Sequence, residues 1–308
     1  MKKLITYIAG TIVLVAVLDF LAGAGMRKYL SGHRLPGDCA SIDYTIKDID
    51  EDVVILGNSV ILNSLMPQIL SDSLGLSVYN SASNGQEIDF FYSLLDCILK
   101  RHTPKAIIMG ARDDLFTTTG IGDRYSILSP YYGMGYEVID SCLNNSGEHS
   151  ELFMKSTFYR YNTIWWRISL YHFISPNEKG VNGFIAKPIP PMPPKLLDVA
   201  DDNEPQAARL ATLNTIIDRC QERGIELILI YPPLYYNRQG ESKAATSVRK
   251  LCAERRVTVI DNSADSYFLQ HPELFYDNTH LNINGAEIFS RQKAFELKQI
   301  LSGQSKPD

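Results

Sequence analysis

Long runs of Lys and Arg are absent from this chain of 308 residues, which carries a formal net charge of −5 at pH 7. Binding to nucleic-acid phosphates needs a dense basic surface, so no nucleic-acid partner is expected. The sequence also lacks Cys-x-x-Cys pairs, other metal-ligand spacings and a glycine-rich phosphate-binding loop. We therefore expect neither a metal ion nor a cofactor.

Cysteine is scarce and widely spaced. The five cysteines are Cys39, Cys97, Cys142, Cys220 and Cys252. An odd number leaves at least one thiol unpaired within the chain. Cys97 and Cys220 fall in apolar patterns with helical spacing, where buried free thiols are common. Structural thiols are predicted, and a disulfide among the other cysteines is left open.

One long apolar stretch is present, and it lies at the N-terminus. It extends from Leu4 to about Met26, is interrupted only by Asp19, and has basic residues on both sides. About 20 apolar residues suffice for a helix to cross a bilayer, so residues 1–30 are predicted to be a single-pass membrane anchor. The alternative is a signal peptide, because the sequence 22–24, Ala-Gly-Ala, resembles a cleavage site; the length of the apolar stretch favours the anchor.

Both interpretations place the rest of the chain outside the cytoplasm, in the periplasm or at the cell surface. The basic residues at both ends of the stretch give only a weak positive-inside bias. For Asp19, a charge in an apolar helix, we expect either a contact with a partner helix or a hydrated position at the interface.

Residues 31–308 are predicted to form one α/β domain. Strands are expected at 52–57, 77–80, 105–110, 226–231 and 257–260, and helices at 61–74, 88–99, 206–223, 241–255 and 285–301. Strands that alternate with helices in this way indicate a parallel, flavodoxin-like sheet between two helix layers.

A central segment, about 116–205, interrupts this alternation and is predicted to be an insertion. It is rich in Tyr and Trp in its first part, with a cluster at 159–166 for which core packing is favoured over a sugar-binding cleft. Its second part holds the proline-rich run 187–194, which adopts extended polyproline geometry and cannot join a regular element.

Polar loops follow three of the predicted strands. Ser59 comes directly after the first strand and before a helix, so its hydroxyl is expected beside free helix amides that favour negative charge. Asp277 and His280 lie on a loop before the last helix, where the carboxylate can hold one ring nitrogen and leave the other for Ser59. The alternatives are a helix N-cap for Ser59 and an ordinary surface histidine for His280.

Three of these segments resemble the sequence blocks of the SGNH (GDSL-type) hydrolases. They are Gly57-Asn-Ser59, the stretch 79–86, and Asp277-Asn-Thr-His280-Leu. The resemblance implies a three-layer α/β/α hydrolase fold in which Ser59 is the nucleophile, His280 the base and Asp277 its orienting carboxylate. It also implies that the oxyanion is bound by the N–H groups of Ser59 and Gly85.

The third block departs from the family pattern, Gly-x-Asn-Asp, whose asparagine is an oxyanion donor. Here the stretch reads Gly110-Ala-Arg112-Asp113. Arg112 either supplies a guanidinium donor to the oxyanion hole or pairs with Asp113 or Asp114 and leaves the hole weaker. Removing one such donor costs about 10²–10³ in rate in other enzymes.

The apolar N-terminus and the late Asp-x-x-His-Leu resemble a membrane-tethered branch that acts in teichoic-acid D-alanylation and polysaccharide O-acetylation. This resemblance implies an esterase or O-acyltransferase acting on an acylated carbohydrate or cell-envelope polymer, often beside a multipass membrane acyltransferase. The sequence does not distinguish a hydrolase, in which water accepts the acyl group, from a transferase, in which a sugar hydroxyl accepts it. The competing hypothesis is a membrane-tethered binding or assembly protein without catalysis.

Overall fold

The structure is a computed structural model that describes residues 1–32, 38–117, 122–162, 164, 182–199, 203–238, 240 and 242–303. The chain divides into two compact units. Unit 1 comprises 1–44 and 121–177, and unit 2 comprises 45–120 and 178–308. The predicted insertion, 116–205, is thus shared between the units, and its part 121–177 belongs with the N-terminal helix.

The labels used below follow chain order. The helices are α1 Lys2–Gly32, α2 Asp38–Lys47, α3 Ser59–Leu62, α4 Pro67–Leu74, α5 Ile88–Leu99, α6 Asp114–Thr117, α7 Glu137–Asn144, α8 Ser150–Phe153, α9 Ala207–Glu222, α10 Lys243–Glu254, α11 Ser266–Leu269 and α12 Ile283–Leu301. The strands are β1 Val53–Leu56, β2 Val78–Asn80, β3 Ala106–Gly110, β4 Leu197–Val199, β5 Glu226–Tyr231, β6 Tyr236–Arg238 and β7 Thr258–Asp261. Two 3₁₀ segments, Gly122–Tyr131 and Pro272–Leu274, complete the named elements.

Five parallel strands form the sheet of unit 2 in the order β2-β1-β3-β5-β7. This is the flavodoxin-like order that the alternation of strands and helices predicted. The central strands β1 and β3 are buried along their whole length, as continuous apolar runs in a covered parallel sheet must be. The predicted α/β fold is confirmed, and all carboxyl ends of the strands lie at one edge of the sheet.

The predicted helix 61–74 is two helices. α3 ends at Leu62, and α4 begins at Pro67. Pro67 has no N–H and restricts the residue before it to extended geometry, so a continuous helix through Met66 is excluded. Met66 is indeed extended, and its N–H donates to Ser290 Oγ at 2.8 Å. The break ties the helix after Ser59 to α12.

The proline-rich run has no helix or strand assignment, as predicted. The stretch that leads into the run, 182–187, is held in place by its carbonyl groups. Asn182, Ile185 and Lys187 accept hydrogen bonds from Asn80 N–H, Asn63 Nδ2 and Ile283 N–H at 2.9, 2.7 and 2.9 Å. Beyond the run, β4 pairs in parallel with β6, a small sheet that the sequence pattern did not reveal.

Unit 1 contains the apolar helix α1. Over 2–29 it is long and apolar enough to cross a membrane. Asp19 accepts hydrogen bonds from Ser156 Oγ at 2.9 Å and from the N–H groups of Thr157 and Phe158 at 2.8 Å each. Its carboxylate therefore caps the helical turns at 157–162 of the same chain. Positions 163 and 165–166 of the Tyr/Trp cluster lie outside the described residues.

Cys97, Cys220 and Cys252 have free thiols, and all three are buried. Burial raises the pKa of the Cys97 and Cys220 thiols to about 12 and that of Cys252 to about 11. These three groups are protonated at neutral pH and are not nucleophiles.

Gly285, in the first turn of α12, lies against the chain just before the Asp277 loop. A Cβ atom at this position would lie 2.2 Å from the carbonyl oxygen of Leu274, and backbone at both places prevents relief. We expect Gly285→Ala to lower the free energy of unfolding by about 1–3 kcal/mol, the usual cost of overpacking. Urea denaturation of the full chain in detergent measures it.

Asn284→Ala is the matched control, since Asn284 is the preceding residue of the same turn and is exposed. This change should stay within about 0.5 kcal/mol of the wild type. Equal effects of the two substitutions would show that the close approach of α12 to Leu274 is not a constraint.

Candidate active site

Ser59 is the first residue of α3, immediately beyond β1. The preceding residue, Asn58, caps this helix: its Oδ1 accepts the N–H of Val60 at 3.1 Å. The alternative role of helix N-cap, considered for Ser59, is therefore filled by its neighbour. The Ser59 hydroxyl is available for another contact.

The turn before Ser59 is tightly packed. A Cβ on Gly57 would lie 2.3 Å from Ile61 Cγ2, and a Cβ on Gly110 would lie 2.4 Å from Ile61 Cβ. Only residues without a side chain let Ile61 pack between the ends of β1 and β3. This packing fixes the direction in which α3 leaves the sheet.

The structure brings Ser59 and His280 together. Ser59 Oγ lies 2.8 Å from His280 Nε2, although the residues are 221 positions apart in the chain. On the other side of the ring, Nδ1 lies 2.9 Å from both carboxylate oxygens of Asp277. With the proton on Nδ1 donated to Asp277, Nε2 is free to accept the proton of Ser59.

Asp277 is held by its own loop. Its Oδ1 accepts hydrogen bonds from Thr279 N–H at 2.8 Å, from Thr279 Oγ1 at 2.9 Å and from His280 N–H at 2.9 Å. The His280 carbonyl in turn accepts the N–H of Tyr276 at 2.8 Å. The loop therefore orients both the carboxylate and the ring before any substrate is present.

Two pKa shifts accompany this geometry. Burial raises the pKa of the Asp277 carboxyl, but hydrogen bonds from His280 and Thr279 outweigh it and hold that pKa below 3.8. Burial lowers the pKa of His280, and the nearby cations Lys187 and Arg112 lower it further. Asp277 opposes these effects, yet the net pKa of His280 lies below 6.5. The imidazole is therefore neutral at pH 7, as a base must be.

The loop after β2 lies beside Ser59. Ser81 N–H donates to the Ile55 carbonyl at 2.8 Å, and Ser83 N–H donates to the Gly57 carbonyl at 3.0 Å. These bonds continue the pairing of β1 and β2 past the ends of the strands. Gly85 closes the loop with φ +68°, in the left-handed region that favours glycine. A role of its N–H as an oxyanion donor stays a prediction.

The loop after β3 places Arg112 against Asp114. Its guanidinium binds both carboxylate oxygens of Asp114, with Nε 2.6 Å from Oδ1. The neighbouring Asp113 is buried and pairs with Arg238 at 2.5 Å. This bidentate ion pair uses two of the five N–H groups of the guanidinium, and a role of Arg112 as an oxyanion donor stays a prediction.

Sequence reasoning missed several residues around the site. They are Lys187, Tyr236, Arg238, Tyr276 and Thr279. Thr279 could have been found, because an Asp with a hydroxyl residue two positions later often forms a local turn. Lys187, Tyr236 and Arg238 come from distant segments, whereas Tyr276 directly precedes Asp277. Among the described residues, no group of three or more His, Cys, Asp or Glu side chains could hold a metal ion.

No protein-family model and no curated protein matches the chain. Several solved structures are similar to it. One is a protein from Desulfitobacterium hafniense described as a lipolytic protein of the G-D-S-L family, at 13% identity over 79% of this chain and 97% of that chain, with a TM-score of 0.39.

Another is a lipase/acylhydrolase from Enterococcus faecalis, at 12% identity over 83% of this chain and 98% of that one, with a TM-score of 0.38. For the protein YXIM_BACsu from Bacillus subtilis the identity is 15%, the TM-score 0.43, and the coverage 83% of this chain and 57% of that chain. At such identities and TM-scores the likeness carries no argument about function, which rests on the geometry at Ser59.

The ring of His280 offers a direct test of this geometry. We expect its pKa, measured by NMR titration of ¹³C-labelled histidine, to lie below 6.5, because burial and two cations disfavour the charged form. Asp277→Asn should lower it further, since the carboxylate stabilises the imidazolium. A value at or above 6.5 in the wild type would contradict the buried position of the ring.

Proposed function

We propose that this protein is a membrane-anchored SGNH-like serine esterase or O-acyltransferase that works through an acyl-Ser59 intermediate. The single observation that carries the proposal is the hydrogen-bonded chain Ser59–His280–Asp277, with distances of 2.8 and 2.9 Å. A serine hydroxyl is a weak nucleophile until a base takes its proton, and this chain supplies the base and its orienting carboxylate.

The reaction follows from the positions of the atoms. Ser59 Oγ attacks the acyl carbonyl carbon as its proton passes to His280 Nε2. The tetrahedral intermediate then collapses, and His280 returns that proton to the departing alkoxide. Water or a sugar hydroxyl, deprotonated by His280, attacks the acyl-serine and regenerates Ser59. Asp277 stabilises the imidazolium in both halves without itself taking the proton.

The oxyanion formed in each half needs N–H donors. The Ser59 N–H at the start of α3 and the Gly85 N–H are the proposed donors. Arg112 is not counted among them, because Asp114 occupies its guanidinium. A hole with one donor fewer than the family pattern costs about 10²–10³ in rate, so slow turnover is expected.

The contacts of α1 support a retained anchor over a cleaved signal. Cleavage near the small residues at 22–24 would remove Asp19, whose carboxylate caps the turns at 157–162. Gly23 packs so closely on these turns that a Cβ would lie 2.5 Å from Thr157 Oγ1. The two residues lie four apart, on one face of α1. α1 is thus part of the packing of unit 1 and is more than a targeting signal.

The anchor also motivates the proposed substrate and partners. An extracytoplasmic domain held at the membrane can reach an acylated carbohydrate of the cell envelope, with a multipass membrane acyltransferase as the donor of acyl groups. The alternative, a binding or assembly protein without catalysis, is favoured only by the ion pair that occupies Arg112.

A fluorophosphonate probe distinguishes these functions. The wild-type chain in detergent should be labelled, Ser59→Ala should not be, and His280→Ala should be labelled about 10⁶-fold more slowly because the base is lost. Ser266→Ala, at an exposed serine on α11, is the control that keeps its labelling. Thermal unfolding within a few degrees of the wild type verifies that each variant is folded. No labelling of a folded wild type would favour the binding protein.

The anchor has a separate test. After expression of the full chain, we expect carbonate-resistant membrane association and an intact mass that includes residues 1–24. Asp19→Ala should leave the protein in the membrane but lower the thermal midpoint, because three hydrogen bonds to 156–158 are lost. A mature protein that begins after residue 24 would instead establish a cleaved signal.

A further inference from the structure

Charged side chains near the candidate active site are almost all matched in pairs. Asp113 binds Arg238, Asp114 binds Arg112, and Asp277 binds His280. Lys187 is the exception. Within the described residues no carboxylate lies within salt-bridge distance of its ammonium, whose recorded contact is the ring face of Tyr276 at 5.4 Å.

Lys187 is fixed beside the catalytic loop on both sides. Its carbonyl accepts the N–H of Ile283, three residues after His280, at 2.9 Å. Its ammonium stands over Tyr276, whose N–H donates to the His280 carbonyl at 2.8 Å. The Lys187 backbone therefore contacts the chain after His280, and the Lys187 side chain contacts the chain before it.

The segment that carries Lys187 is stiff. Pro188 follows it directly, and further prolines at 190, 191, 193 and 194 hold the chain extended. Upstream, Gly183 approaches the carbonyl of Asn80 so closely that a Cβ would lie 2.0 Å from its oxygen. Downstream, the carbonyl of Lys195 accepts Asn278 Nδ2 at 2.7 Å. An ammonium held on such a segment loses little entropy when it binds a ligand.

We propose that Lys187 forms an anion subsite, which binds a carboxylate or phosphate that the substrate carries close to its scissile ester. The inference rests on the proposed function and specifies its substrate class as anionic esters. Tyr276, which is 39% exposed, provides a flat apolar surface next to the ammonium, against which the rest of the ligand can pack.

An anion in this subsite also acts on the base. Asp277 raises the pKa of His280, and Lys187 and Arg112 lower it; of these two cations, Arg112 has Asp114 as its counter-ion, whereas no carboxylate of the described residues lies within salt-bridge distance of Lys187. An unneutralised ammonium at Lys187 makes His280 harder to protonate and so a weaker base. A bound anion cancels that charge and raises the basicity of His280, so the correct substrate activates the site as it binds.

The test compares small phenyl esters that carry no charge or one anionic group. The neutral ester is 4-acetoxybenzamide, and the anionic esters are 4-acetoxybenzoate and 4-acetoxyphenyl phosphate, with 4-nitrophenyl hydrogen succinate to place the charge on the acyl side. For each ester the ratio of kcat/KM between variant and wild type is used, so that intrinsic reactivity cancels. The preferred anionic ester shows whether the subsite binds a carboxylate or a phosphate. It also shows whether the anionic group lies on the alcohol side or the acyl side of the ester bond.

Lys187→Met should lower kcat/KM for at least one anionic ester by about ten- to a hundredfold relative to its effect on the neutral ester, the loss expected for a charged hydrogen bond. Lys187→Glu should reverse the preference, and added salt should weaken it. Lys195→Met is the matched control, an exposed lysine on the same segment, and should change neither ester. An equal loss for neutral and anionic esters after Lys187→Met would overturn the subsite.

A second measurement needs no turnover. In Ser59→Ala, malonate or inorganic phosphate should raise the pKa of His280 in an NMR titration, and in Ser59→Ala with Lys187→Met it should not. Wild-type labelling by fluorophosphonate without any anion preference would overturn the subsite and leave the esterase standing. If an anion raises the pKa of His280 but the wild-type chain is never labelled, the subsite stands and the esterase proposal is overturned.

Discussion

The hydrogen bond between Ser59 Oγ and His280 Nε2 joins two loops that are 221 positions apart in the chain, so no local interaction brings them together. Each loop is positioned by a different close approach of backbone. Gly57 and Gly110 make room for Ile61, which directs Ser59 from the end of β1, and Gly285 lets α12 lie against Leu274, which positions the loop of His280. Both depend on the parallel sheet, which gathers the carboxyl ends of its strands at one edge.

Electrostatics near this bond is organised in pairs. Buried or half-buried acids each meet a cation or the imidazole, which avoids the large cost of an isolated buried charge. The same pairing directs two N–H groups of Arg112 to Asp114, so in the proposed esterase the ion pair of the loop after β3 competes with an oxyanion for this side chain. Among the described residues no carboxylate pairs with Lys187, and its charge lowers the pKa of His280, the proposed base.

The apolar N-terminal helix has a structural role within unit 1 as well as its proposed role in the bilayer. A carboxylate in an apolar helix is costly unless hydrogen bonds satisfy it, and Asp19 receives three of them from 156–158. The sequence left two explanations for this residue, a partner helix or a hydrated position. In the structure, the partner is a helical segment of the same chain.

The sequence by itself determined the features that arise from neighbouring residues. Buried apolar runs predicted the strands, and the Asp277-x-x-His280 spacing predicted a carboxylate–imidazole pair, because three residues on one turn already place them together. The break between α3 and α4 follows from Pro67 and could have been predicted from the sequence. Tertiary structure alone decided the pairing of β4 with β6, the partner of Asp113 and the position of Lys187. Each of these depends on backbone or charge supplied by a distant segment, and a local sequence pattern does not predict which distant segment packs against it.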